Sequence, residues 1–174
     1  MQRNCFKNKS NKMKKAFLAL ALMVSLSMSA QTSTTVEGAT FGASYEDTEV
    51  ALKSNYGEPS SKSETSLVYL NKNFEGFTAN RVEFGFQQSN GASKLNQARF
   101  YFFCANKAAA VAKMKALAKK LGTKYPVSYD EEDGGMAFYK GGRSPLGIGS
   151  LFTIFVSPYQ GKWTCQVRYG SFHF

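Results

Sequence analysis

Past residue 40 the chain alternates between two hydrophobic rhythms, one helical and one of period two, and it runs through both twice. Tyr45, Thr48, Leu52 and Tyr56 recur at helical spacing, with Ala51 beside them. Ser44 stands where an N-cap belongs, with Asp47 three residues on. Glu46, Asp47 and Glu49 put negative charge in the first turns, where the helix dipole favours it. Gly57 ends this helix and Pro59 keeps it from resuming. The second helix, Lys107 to Leu121, opens at Asn106 and is rich in Ala and Lys, both strong helix formers. Val111, Met114, Leu117, Ala118 and Leu121 form its apolar stripe. Lys113, Lys115, Lys119 and Lys120 lie largely off that stripe and read as a solvated back. Gly122 and Pro126 repeat the stop.

Between and after the helices the pattern switches to strands. Leu67 to Asn71 is a short strand that turns at Asn73 to Gly76. Phe77 to Gln87 follows, with Val82, Phe84 and Phe86 on one face and Arg81, Glu83 and Gln87 on the other. Gly85 interrupts it as a bulge or a close approach would. After the loop Gln88 to Lys94, Leu95 to Cys104 carries Ala98, Phe100, Phe102 and Cys104 on one face, and Arg99, Tyr101 and Phe103 on the other. The second half offers strands at Tyr125 to Tyr129, Met136 to Lys140, Leu151 to Ser157 and Lys162 to Tyr169. In the last, Trp163, Cys165, Val167 and Tyr169 alternate with Thr164, Gln166 and Arg168. Gly57 and Gly122 are 65 residues apart, and Phe100 and Val167 are 67 apart, so helix, stop and strands recur at one spacing. The expected fold is α+β: tandem αβββ units, 41–104 and 105–174, as two units or one joint domain. Short loops make the sheet antiparallel, with the helices packed on one face.

Composition changes meaning once the first thirty residues are set apart. Arg3, Lys7, Lys9, Lys12, Lys14 and Lys15 precede the apolar run Ala16 to Val24, and small residues follow at Ser25, Ser27, Ser29 and Ala30. That order is a bacterial-type secretory signal peptide, 1–30, with an apolar part too short to span a membrane. Met13 is an alternative start for it, and cleavage after Ser29 fits the small-residue rule better than cleavage after Ala30. No Cys follows the apolar run, so no lipid anchor is expected, and residues 31–40 read as a flexible polar leader or an edge strand. The signal holds six of the 22 basic residues and none of the 12 acidic ones, which lowers the net charge from +10 to +4. The case for a nucleic-acid partner weakens accordingly. The expected destination is periplasmic or secreted.

Chemistry is sparse. His173 is the only histidine, there is no CxxC, and Cys104 and Cys165 are 61 positions apart. An exported setting permits a disulfide between them, which would stabilise by roughly 4 kcal/mol in the chain-entropy model. The alternative is two free thiols buried as small hydrophobes. No metal site, no cofactor and no catalytic group is expected. DEEDGG at 130–135 lacks the alternating ligands of a calcium loop, and GGRSPLGIG at 141–149 lacks the order of a phosphate loop. Arg143 in the latter is a binding candidate because loops often carry function. Glu83 and Glu132 have nothing that marks them as the acid pair of a hydrolase.

The more telling pattern is the aromatic content of the strand face away from the helices. Tyr69, Tyr101, Phe103, Tyr139 and Phe155 are assigned to it, interleaved with Arg81, Arg99 and Arg168. Tyr and Arg are enriched at protein-binding hot spots, and these residues form the candidate surface.

The stretch with Gly42, Ser44, Leu52, Gly57 and Pro59 resembles the start of the SmpA/OmlA (BamE-like) envelope domains. Here the helix is about a turn longer than theirs and the lipid-bearing Cys is missing. The tandem arrangement is similar to beta-lactamase-inhibitor-protein-like folds, whose paired helix-plus-sheet units form an aromatic-lined concave surface. The resemblance implies an exported, non-enzymatic module that binds another protein, inhibitor-like. A cell-envelope structural or assembly factor is the alternative, and a hydrolase a distant third.

Overall fold

A computed structural model describes residues 34–89, 91–132 and 136–174; the signal peptide expected at 1–30 lies outside the described residues. Two strands, β1 (Thr35–Val36) and β2 (Ala39–Thr40), form a small ribbon of their own. Helix α1 (Tyr45–Tyr56) leads into β3 (Ser61–Ser63), β4 (Ser66–Phe74), β5 (Phe77–Ser89) and β6 (Ala92–Cys104). Helix α2 (Lys107–Leu121) leads into β7 (Val127–Glu132), β8 (Met136–Gly141), β9 (Phe152–Tyr159) and β10 (Lys162–Tyr169). The result is α+β, with one eight-stranded antiparallel sheet in the order β3-β4-β5-β6-β10-β9-β8-β7. Four strands therefore follow each helix, where the expected unit has three and the sequence pattern offers a fourth run only in the second half. The extra strand in the first half, β3, is the polar tripeptide SKS, fully exposed at the sheet edge and without hydrophobic alternation.

Local chemistry explains the element ends. The Ser44 hydroxyl accepts the Asp47 backbone N–H at 3.1 Å, and Asn106 Oδ1 accepts that of Ala109 at 2.9 Å. The two glycine stops differ. Gly57 takes φ +72°, open to glycine at little cost, whereas Gly122 stays right-handed at φ −61° and the chain turns over Thr123 and Lys124. The β4–β5 hairpin closes on Glu75–Gly76 and β9–β10 on Gln160–Gly161, each pair with both φ positive, the geometry that matches strand twist. A register shift between Gly85 and Phe86 is the bulge expected at that glycine.

Both helices pack on the sheet through one core. Leu52 and Tyr56 of α1, and Met114, Leu117 and Leu121 of α2, join Leu67, Val82, Phe84, Phe100, Cys165 and Val167 from the strands. Fully buried side chains such as Leu52, Leu117 and Phe100 each contribute about 1.5–3 kcal/mol through removal of apolar area from water. Phe74 stacks on Phe100 at 3.9 Å between centroids, and Tyr169 meets Phe100 edge-on at 6.0 Å.

The segment 31–40 is not a loose leader where it is described. Val36 and Ala39 are buried, and Asn55 Nδ2 of α1 donates to the Glu37 carbonyl at 2.9 Å. Residues 171–174 are tied down as well: Phe172 is buried edge-on to Phe41 at 4.8 Å, and Ser89 Oγ donates to the Phe174 carbonyl at 2.7 Å.

Candidate binding face

Strand pairing sorts the side chains into a core face and a second face. Tyr101, Arg99 and Phe103 of β6 alternate with core residues Ala98, Phe100 and Phe102, so they project to the second face. The register then fixes their neighbours in rows across the sheet. One row runs Glu83, Arg99, Arg168, Thr153, Lys140. The next runs Arg81, Tyr101, Gln166, Phe155, Phe138, and a third runs Phe103, Thr164, Ser157.

The middle of this face is partly covered by its own aromatic residues. Tyr159, at the end of β9, lies 4.5 Å from the Tyr101 ring and 6.3 Å from Phe103 between centroids. Near them Thr164 is fully buried, Gln166 is 4 % exposed and Tyr101 is 3 % exposed. Their polar atoms are satisfied in a short chain. Gln166 Nε2 donates to Thr164 Oγ1 at 2.9 Å, and Thr164 Oγ1 donates to the Ser157 carbonyl at 2.6 Å. Burial pushes the Tyr101 phenol above its ordinary pKa, with the Arg99 hydrogen bond acting against it.

Arginine is distributed unevenly here. Arg81 pairs with Glu83 two residues along its own strand at 3.1 Å. Arg99 donates to the Tyr101 hydroxyl at 3.2 Å and to Gln97 Oε1 at 3.4 Å. The Arg168 guanidinium lies 5.6 Å from the centre of the Phe155 ring, a cation–π distance. Burial, then the charge of Arg99, lowers its pKa from the ordinary arginine value. Lys140 is paired with Asp130. That contact and the Glu131 backbone N–H hold the Asp130 carboxyl below its usual range.

A cleft of about 540 Å³ adjoins this row. The β8–β9 ladder ends at Phe138 opposite Phe155 while β9 continues to Tyr159, and the cleft is lined there by Val111, Met114, Phe138, Phe155, Trp163 and Arg168.

The structure therefore brings together Arg81, Arg99, Tyr101, Phe103, Phe155 and Arg168, and separates three other sequence candidates from them. Tyr69 is opposite Val82, fully buried in the core and 5.3 Å from the Tyr56 ring. Tyr139 is opposite Ile154 and packs on the core, with its ring 5.4 Å from Tyr129. Both belong to the core face because the register runs in phase with Val82 and Ile154. Arg143 is exposed in the connection between β8 and β9, off the sheet rows. Cys104 and Cys165 are free thiols, which corrects the disulfide alternative. Cys104 is opposite Trp163 and Cys165 opposite Phe102, so they lie diagonally rather than across from each other. Burial pushes the Cys165 thiol well up.

Sequence reasoning missed Tyr159, Gln166, Thr164 and Thr153. Tyr159 was hidden inside SPYQG, which reads as turn, although its two-step spacing from Phe155 and Ser157 points to their face. His173 Nδ1 is 3.0 Å from Gln87 Oε1 in an exposed position. Among the described residues no three His, Cys, Asp or Glu side chains converge as a metal site would need, and no helix is long and apolar enough to cross a membrane.

No family model matches the chain, and no curated protein or solved structure shows significant similarity to it.

Proposed function

We propose that this is an exported, non-enzymatic binding module that takes a protein partner on the second face of its sheet. The observation that carries the reading is the aromatic and arginine cluster at the centre of that face. Tyr159 packs against both Tyr101 and Phe103 beside the Arg99–Arg168 row. Tyrosine rings and guanidinium groups are enriched at protein hot spots.

The architecture suits such a role. Two units, each a helix followed by four strands, abut through β6 and β10 and extend one sheet between them. We read this as a duplication, with both helices on one face so that the other is left to the partner. The signal-like N-terminus and the resemblance to inhibitor-protein-like folds agree with an exported binder. An envelope assembly factor would share the fold but work inside a membrane complex.

Affinity capture from the native envelope tests the reading. Wild-type protein should retain a stoichiometric protein partner, and Phe103→Ala and Tyr159→Ala should lose it while keeping the native melting temperature within a few degrees. Capture that is indifferent to both substitutions would contradict it. A partner that is itself a stable membrane complex would favour the assembly role over the free inhibitor-like one.

A further inference from the structure

Two guanidinium groups stand in register at the centre of the sheet with no acid between them. Glu83 is the cross-strand neighbour of Arg99, yet its carboxylate is taken by Arg81 at 3.1 Å. On the far side of Arg168 come Thr153 and then Lys140, whose charge is matched by Asp130. Arg99 and Arg168 are therefore the unmatched charges of the row, and neither forms a salt bridge among the described residues.

Hydrogen bonding leaves the same gap. The Nε–H of Arg99 and that of Arg168 are both buried without an acceptor, and the Thr153 hydroxyl beside Arg168 is buried without a partner. Unpaired buried donors are rare because each loses its water without replacement. Arg99 is held in place through Tyr101 and Gln97, and Arg168 lies against Phe155. Arg99 is thus oriented before any ligand arrives, and the forked donors of both residues suit a carboxylate better than a lysine would.

We infer that Arg99 and Arg168 form the anchor of the binding face for an acidic side chain of a protein partner. This rests on the reading of the second face as a protein-binding surface. A polypeptide suits it better than a free inorganic anion because the aromatic cluster of Tyr101, Phe103 and Tyr159 extends the contact across neighbouring strands. An acidic segment complements both halves: a carboxylate on the guanidinium pair, and its neighbouring residues on the rings. The net charge of +4 beyond residue 30 adds a weak attraction of the same sign.

The probe is an octaglutamate peptide titrated into the full mature protein at low ionic strength, with octaglutamine and inorganic phosphate in parallel. The expected result is saturable octaglutamate binding that weakens at least tenfold in Arg99→Gln and in Arg168→Gln. Binding should be unchanged in Lys119→Gln/Lys120→Gln on the back of α2 and negligible for octaglutamine. Amide chemical shifts of each variant, outside the substituted rows, should match the wild type. The inference is overturned if octaglutamate fails to bind, if it binds the arginine variants undiminished, or if it is lost on substituting the helix lysines. Phosphate binding at the arginines without octaglutamate binding would also overturn it, as a small-anion site. If native-partner capture is lost in Phe103→Ala and Tyr159→Ala but survives both arginine changes, the binding face stands and the acidic anchor falls.

Discussion

Arg99 and Arg168 lie directly opposite each other on β6 and β10, the two central strands of the sheet. Like charges in register repel, and here each also hides an unpaired Nε–H. Arg168→Met gives up the guanidinium–ring contact with Phe155 but removes the repulsion and the unpaired Nε–H of residue 168. It should raise stability by about 1 kcal/mol in urea unfolding at pH 7. A loss of more than that amount would show that the pair is a structural tie.

Tyr69 separates core from surface. Its hydroxyl is buried without a partner, and burial pushes its pKa up to about 12. Tyr69→Phe removes an unsatisfied group and should be neutral or stabilising by up to about 1 kcal/mol. Tyr69→Ala opens a cavity beside Tyr56 and Phe84 and should cost about 3–5 kcal/mol. Partner capture by Tyr69→Phe should equal that of the wild type.

Much of this arrangement is legible in the sequence, and the failures have physical causes. Ser44 and Asn106 cap the helices as read, and the period-two reading of β6 and β10 puts Ala98, Phe100, Cys165 and Val167 in the core as read. Tyr69 sits in the continuous apolar run LVYL, where period two gives no phase. The phase was available from the turn: Glu75–Gly76 places Phe74 opposite Phe77, and counting back puts Tyr69 opposite Val82. Tyr139 has the same ambiguity beside Phe138, resolved only by pairing with β9. Val36 and Ala39 escaped notice because two apolar residues in a Thr-rich stretch carry no period, and their burial depends on the ribbon folding onto distant elements. The unmatched arginine pair is a property of register, so no single stretch of sequence displays it.

Thiol chemistry follows from the diagonal placement of the cysteines. Ellman titration of the mature protein in denaturant without reductant should count two thiols per chain. In the native state Cys165 should resist modification for far longer than Cys104, because it is fully buried and its thiolate is disfavoured. Zero thiols in denaturant would restore the disulfide.

Glu37 gives the fold a pH signature. Burial first, then the charge of Glu75, raises its pKa above the ordinary carboxyl value. The folded state therefore binds its proton more tightly than the unfolded chain. Its contribution is most favourable below the unfolded pKa and is lost as pH rises through the folded one. Glu37→Gln should thus be more stable than the wild type at pH 7, and the difference should vanish by about pH 4. A difference that is constant with pH would mean that the carboxylate is not the cause.

The central claim is that the face carrying Tyr101, Phe103, Phe155 and Tyr159 meets a protein partner, and site-specific photocrosslinking in the native envelope tests it most directly. With the crosslinker at Phe103 or Phe155, one protein adduct of defined mass should form. With the crosslinker at Lys119 on the back of α2, none should. Adducts from Lys119 but not from the sheet positions, or the same adducts from all three, would contradict the account.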